Sequence, residues 1–143
     1  MPRPSERSPI NLVSYYQNIE DNFPVVCFTD GSKINSKVGL AFVVFQDHIE
    51  TEVHQFRIRD ECSVFLCIAQ AVNWIRINEH LFSNVLICSD SLSSLYALHC
   101  ITSPNRLIVK TQTNLNFLQR RGVQVFFSFT RGHIGIYGNE RAD

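Results

Sequence analysis

The clearest structural signal in the sequence is Pro24-Val25-Val26-Cys27-Phe28-Thr29-Asp30-Gly31-Ser32. Its first six residues form a short, dense β-forming run, which is typical of a central strand buried on both faces. The Asp30-Gly31-Ser32 segment then turns the chain, so the strand ends on a carboxylate. The stretch therefore predicts a buried strand that delivers an acidic side chain to one end of a sheet.

Two later segments have the same design. Ile87-Cys88-Ser89-Asp90-Ser91 follows an apolar run, and Asp143 ends the segment that begins at Gly132. Carboxylates gathered at one end of a sheet repel each other unless a hard cation lies between them, and oxygen ligands are what Mg²⁺ prefers. Each motif also has a simpler interpretation: Asp30-Gly31-Ser32 as a turn, Ser89-Asp90-Ser91 as a helix N-cap, and Asp143 as a terminal residue without a role.

The periodicity around these motifs predicts an α/β fold. Extended runs cover 25–29, 38–45, 54–58, 84–89 and 123–129, and helical patterns cover 63–79, 91–99 and 105–121. The first three strands are expected to form an antiparallel meander. The order predicts a mixed five-stranded sheet with helices on both faces.

The composition is that of a single globular domain. The chain has 143 residues, of which 45% are hydrophobic and 18% are charged, and its formal net charge is zero. The chain therefore has no overall positive charge that would indicate a nucleic-acid partner. Residues 1–23, polar and proline-bearing at their start, predict an N-terminal linker arriving from upstream sequence, with a monomeric domain at 24–143.

The cysteines and the hydropathy indicate an intracellular protein. Five cysteines make an odd number with no Cys-x-x-Cys pair, which predicts buried thiols in a reducing compartment, cytoplasmic or nuclear. No signal peptide pattern is visible at the start. No apolar stretch reaches the roughly 20 residues of a membrane helix, so no membrane partner is expected.

A third motif identifies the family that the chain resembles. Gly132-His133-Ile134-Gly135-Ile136-Tyr137-Gly138-Asn139 places a histidine on a glycine-flanked loop, before the ending Glu140-Arg141-Ala142-Asp143. In this order the three motifs resemble type 1 ribonuclease H, and most closely the ribonuclease H domain of non-LTR retrotransposon polyproteins. The resemblance implies the ribonuclease H-like fold and endonucleolytic hydrolysis of the RNA strand of RNA–DNA hybrids. One departure is Phe129-Thr130-Arg131, where the family has Trp-Val-Pro, and little effect on catalysis is expected from it.

The resemblance also implies a set of site residues. Asp30, Asp90 and Asp143 would hold two Mg²⁺ ions, with Mn²⁺ as a substitute, and Asp30 would bridge both. His133 would assist product or metal release, and a histidine there can move a proton near neutral pH. Contacts to the nucleic acid would come from Gly31, Ser32, Ser91 and Asn139.

A basic tract offers a second way to hold nucleic acid. From 103 to 133 the chain has no acidic residue but carries Arg106, Lys110, Arg120, Arg121 and Arg131. These side chains are expected either to follow a phosphate backbone or to form a solvated helix face.

The family's catalytic glutamate, in the first turn of its first helix, is missing. Counting forward from Phe65 puts Ile68 at its position, whereas counting back from Ala71 and Val72 puts Val64 there. A four-residue deletion explains both counts. Glu61 is the nearest remaining carboxylate and is either a replacement or a loop charge. The resemblance also implies a further helix after Asp143, so the last helix is expected to be missing.

Three functions follow for such a chain. The first is an RNA–DNA hybrid ribonuclease, impaired by the lost glutamate. The second is a module that binds nucleic acid without cutting it, and the third is an inactive relic of a retrotransposon. A transposase or integrase is a weaker interpretation, because the histidine loop and the Asn-x-x-Ala-Asp ending are ribonuclease H features.

Overall fold

The regular elements follow one another in the order that the sequence predicts. The computed structural model describes residues 10–16, 18–30, 33–34, 37–57 and 63–130. Its strands and helices along these residues are β1 (Asn11–Val13), β2 (Val25–Asp30), β3 (Lys33–Ile34), β4 (Lys37–Gln46), β5 (Ile49–Arg57), α1 (Ser63–Ile77), β6 (Asn84–Ser89), α2 (Leu92–His99), α3 (Arg106–Arg120) and β7 (Gln124–Phe129). Single turns of 3-10 helix lie at Ile19–Asn22 and Glu79–Leu81.

β2 is the centre of a mixed sheet. It pairs antiparallel with β4 and parallel with β6. β5 adds antiparallel to β4, while β7 and then β1 add in parallel beyond β6. The order across the sheet is β5-β4-β2-β6-β7-β1, and the short β3 pairs with the first two residues of β4. The predicted α/β class is confirmed, as is the antiparallel start of the sheet.

Among the described residues, the sheet has six strands in this order, besides the two-residue β3, where the sequence predicted five. The sixth strand is β1, which lies inside the stretch predicted as a linker. Its residues Asn11–Val13 pair with Phe126, Phe127 and Ser128 of β7, and the preceding Ile10 is buried in the core. A three-residue strand carries no periodic signal, because alternation needs about four residues to be recognised.

The two faces of the sheet are covered differently. Val25 and Cys27 of β2 belong to the larger apolar core, on the face where α1, α2 and α3 pack. Val26 and Phe28 belong to a second core on the opposite face, which includes Ile19 of the first 3-10 turn. In the part of the chain that the structure describes, all three α-helices therefore lie on one face, whereas the sequence predicted helices on both. The segment before β2 fills the other face instead.

The ends of the helices agree with the sequence to within two residues. Asn105 caps α3, because its side-chain oxygen accepts hydrogen bonds from the backbone N–H of Leu107 at 2.9 Å and of Ile108 at 3.2 Å. After α3 the backbone of Gly122 has a φ of +84°, a value that glycine adopts without strain. No helix within the described ranges is long and apolar enough to cross a membrane.

Buried cysteines contribute to both cores. Cys27, Cys67 and Cys88 are buried thiols, and Cys100 is exposed. Burial raises the pKa of Cys27 to about 12 and that of Cys88 well above its ordinary value, because the thiolate would lose its hydration. These two thiols therefore behave as apolar packing groups, since the thiolate is the reactive form.

Candidate functional site

The backbone positions of Asp30 and Asp90 are neighbours in the sheet. β2 and β6 are parallel, and their register runs from Val25 opposite Val85 to Thr29 opposite Ser89. Asp30 and Asp90 each follow the last of these pairs by one residue. Adjacent strands lie about 4.8 Å apart, so both aspartates hold the same position at the carboxyl ends of two central strands. The structure thus brings together two of the three predicted metal ligands, at the level of the backbone.

Asp90 lies in the bend between β6 and α2, and its side chain is half-buried. Hydrogen bonds fix the residues on both sides of it. The backbone N–H of Ser91 donates to the buried Ser89 hydroxyl at 3.1 Å, and the Ser91 hydroxyl accepts from the backbone N–H of Ser94 at 3.3 Å. Ser91 is therefore the N-cap of α2. Its predicted contact to nucleic acid stays a prediction.

The cap leaves the Asp90 carboxylate available. Its oxygen atoms make no hydrogen bond or ion pair with another described residue, while Ser91 satisfies the first turn of α2. The Thr29 hydroxyl donates to the backbone carbonyl of Cys88 at 3.2 Å, which ties the ends of β2 and β6 together. Asp90 is thus held by its backbone at a fixed place, with a side chain that can turn toward a ligand.

A third strand brings a hydroxyl to the same end. Phe129 of β7 lies opposite Ser89, and the backbone N–H of the following Thr130 donates to the Ser89 carbonyl at 2.9 Å. Thr130 is only 2% exposed, and its hydroxyl has no hydrogen-bond partner. The same is true of the Ser128 hydroxyl, at 0% exposure. The sequence does not indicate Thr130 as a candidate site residue, because a single hydroxyl at a strand end forms no motif.

The first turn of α1 carries no carboxylate, as the sequence predicted. β5 is parallel to β2, since both are antiparallel to β4. α1 follows β5 and leads to the start of β6, so its N-terminus lies at the end of the sheet where Asp30 and Asp90 lie. The first turn of α1 therefore adds no carboxylate to that end of the sheet.

Several predicted site residues lie outside the described part of the chain. They are Gly31, Ser32, Glu61, His133, Asn139 and Asp143. For Asp30 the backbone is described and the side chain is not. The roles proposed for these residues stay predictions.

The chemistry of the donor set fits a hard divalent cation in part. Carboxylates and hydroxyls at this strand end supply oxygen ligands of the kind that Mg²⁺ and Mn²⁺ take. Among the described residues, however, no three or more His, Cys, Asp or Glu side chains come together to hold a metal ion. Asp90 and the backbone position of Asp30 are the part of the predicted centre that the described residues supply.

The direction of α3 divides the basic tract. α3 precedes β7, which is parallel to β6, so the helix begins near Asp90 and ends at the far end of the sheet. Arg106, Lys110, Arg120 and Arg121 are all exposed. Fourteen residues of helix separate the first of them from Arg120, a rise of about 21 Å. Only Arg106 and Lys110 therefore lie toward the carboxylate end.

Arg121 already has partners within the fold. Its Nε lies 2.9 Å from Oε1 of Glu79, and its guanidinium carbon lies 5.3 Å from the centre of the Phe117 ring. Arg76 of α1 stacks on the same ring at 4.1 Å. These contacts favour a structural role for Arg121 at the junction of α1 and α3.

A groove of about 560 Å³ runs along β1 and β7, and Asn11, His99, Gln119 and Gln124 supply its polar lining. Neither Asp90 nor Thr130 lines this groove.

A scan against models of protein families finds no match to the chain, and a search of curated proteins finds none either. The functional proposal therefore depends on the strand-end residues and their placement.

Proposed function

We propose that the chain, from β1 at Asn11–Val13 onward, forms a ribonuclease H-like domain that acts on RNA–DNA hybrids and is related to the ribonuclease H domains of non-LTR retrotransposons. The observation that carries the proposal is the shared register of Asp30 and Asp90 at the ends of two parallel central strands. The strand order β5-β4-β2-β6-β7 supports it, since the resemblance implies an antiparallel meander followed by parallel strands.

The proposed reaction is endonucleolytic hydrolysis of the RNA strand. A pair of divalent ions would supply the nucleophilic water and stabilise the leaving 3′ oxygen. Asp30 and Asp90 would hold the ions together with Asp143, and His133 would move a proton or assist release. Gly31, Ser32, Ser91 and Asn139 would contact the hybrid, whose 2′-hydroxyls and groove shape are recognised without sequence preference.

The first turn of α1 favours a second function. Because it contains no acidic side chain, one ion would be poorly held and turnover slow. A domain that binds the hybrid without cutting it, or an inactive relic, is the candidate that this observation supports. An RNA–DNA hybrid as ligand would go with an activity in the cytoplasm or nucleus.

Hybrid cleavage with strand-end variants tests the proposal. A labelled RNA–DNA hybrid is incubated with Mg²⁺ or Mn²⁺ and the wild-type chain, Asp30→Asn or Asp90→Asn. We expect slow cleavage that falls at least tenfold in both variants. Asp47→Asn is the matched control, because Asp47 is an exposed turn residue next to Gln46, which lies opposite Val25 at the other end of β2.

Binding separates the two functions. A hybrid that is bound and left uncut, with salt-sensitive affinity, supports the binding module. If the chain neither binds nor cuts the hybrid, both functions are wrong. If cleavage is unchanged in Asp90→Asn, the carboxylate site is wrong even though an activity exists.

A further inference from the structure

Two buried hydroxyls on β7 have no hydrogen-bond partner. Ser128 and Thr130 are almost completely buried, at 0% and 2% exposure, and neither hydroxyl oxygen is paired. Most buried hydroxyls in folded proteins are paired, so an orphaned one needs an explanation. The two hydroxyls differ in one respect: Ser128 lies opposite Cys88, whereas Thr130 lies one step beyond the Phe129–Ser89 pair, beside Asp90.

Strand alternation, continued one residue past the ends of β6 and β7, puts Thr130 and Asp90 on the same side of the sheet. Phe129 packs against the core on the helix-covered face, so its neighbours Ser128 and Thr130 belong to the opposite face. Cys88 lies in the core on that opposite face, and Asp90 is two residues further along β6. The Thr130 N–H already donates to the Ser89 carbonyl at 2.9 Å, which fixes the two strand ends at adjacent-strand distance.

We propose that the Thr130 hydroxyl is a positioning residue for Asp90: it donates a hydrogen bond to that carboxylate when the carboxylate turns to hold a divalent cation. The inference rests on the proposed function, because it assumes that Asp90 is a metal ligand. A carboxylate with one oxygen on the cation keeps a second oxygen that must be satisfied, and a buried donor one strand away satisfies it. The orphaned Thr130 hydroxyl becomes paired in the process.

The start of α1 increases the dependence of Asp90 on the Thr130 hydroxyl. The first turn of α1 has no carboxylate here, so Asp90 depends more on its other neighbours. Thr130→Val is therefore the informative variant, since it removes the hydroxyl and keeps the shape of the side chain.

Calorimetric titration of the full-length chain with Mn²⁺ alone tests the inference, and thermal unfolding of each variant checks the fold. We expect Thr130→Val to weaken Mn²⁺ binding about tenfold while its unfolding temperature stays equal or rises, because it loses an unpaired buried hydroxyl. Thr130→Ser should restore binding to within about twofold of wild type. Ser128→Ala is the matched control, because it removes the other orphaned hydroxyl and should leave Mn²⁺ affinity unchanged. Thr130→Ala serves as the second variant if Thr130→Val fails to fold.

The outcomes separate the inference from the proposed function. If wild type binds Mn²⁺ and Asp90→Asn loses it, while Thr130→Val and Thr130→Ala bind as wild type does, the positioning role is wrong and the metal site stands. Equal weakening by Ser128→Ala also overturns the role, because it would show a general packing effect. If wild type does not bind Mn²⁺, or Asp90→Asn binds it equally well, the metal site itself is wrong and the inference falls with it.

Discussion

Ser91 illustrates how much a single hydroxyl can decide. The sequence allowed two roles for the Ser89-Asp90-Ser91 motif, a helix cap or a functional site. In the structure one residue of the motif is the cap, and another is left as the candidate site residue. The Ser91 hydroxyl caps α2, which leaves the Asp90 carboxylate outside the capping interaction. The motif is therefore a cap and a candidate site at once.

The cap makes a prediction about stability. Ser91→Ala should lower the free energy of unfolding by about 1 kcal/mol, because the N–H of Ser94 loses its acceptor. Urea unfolding monitored by circular dichroism measures it. Ser93→Ala is the control, since Ser93 is exposed and only its long 3.4 Å contact to the Ser91 hydroxyl would be lost. Equal effects of the two variants would contradict the capping role.

Residues that belong to a motif were predictable, and residues defined only by burial were not. Asp30 and Asp90 were placed correctly at strand ends, because an apolar run followed by a turn marks the end of a strand. The sequence cannot indicate that Thr130 is buried without a partner, because that depends on the register of β7 against β6.

The direction of α3, like the burial of Thr130, could not be predicted from the sequence. The sequence predicted the helix, which is confirmed, and its basic residues are exposed. The sequence alone did not indicate that the helix axis runs away from the carboxylate end, which depends on the parallel pairing of β6 with β7. Four basic residues that looked like one surface therefore divide into two pairs, Arg106 with Lys110 and Arg120 with Arg121. Ten helical residues, about 15 Å along the axis, separate Lys110 from Arg120.

This division predicts unequal effects on hybrid binding. Arg106→Ala with Lys110→Ala should reduce affinity and lower the slope of log affinity against log salt by about two, because both side chains lie toward the candidate site. Arg120→Ala with Arg121→Ala is the matched double variant and should change the slope little. Fluorescence anisotropy with a labelled hybrid at several salt concentrations measures both. A larger change in the second variant would show that the hybrid binds at the far end of α3.

Across the whole molecule, the central part of the fold was predictable and its edges were not. β2, β6 and the helices have long apolar patterns, and the structure confirms them. β1 has three residues and is held by β7, so only the tertiary structure reveals it. The placement of all three described α-helices on one face also depends on the packing of the segment before β2.

Adding a glutamate at the start of α1 tests the proposed catalytic site as a whole. Inserting Gln-Ala-Glu-Leu after Phe65 should raise hybrid cleavage by orders of magnitude, because it restores a carboxylate at the start of α1. Four residues turn a helix by about 400°, roughly 40° more than one turn, so the buried Cys67 and Ile68 should stay packed. The same insertion with Gln in place of Glu should fold equally well and stay inactive. Ordinary cleavage by the unmodified chain would refute the missing-ligand argument and make Glu61 the first residue to test.

The pairing of β1 with β7 has a consequence for how the chain folds. Asn11 lies opposite Phe126, so β1 can pair with the sheet only after β7, more than 100 residues later in the chain, is available. Closing so long a loop costs entropy before any contact repays it, and folding slows as such separations grow. During synthesis β1 leaves the ribosome before every other described strand, yet it joins the sheet only after β7 has emerged. β1 is thus the first of the described strands to be synthesised, and its pairing partner β7 is the last.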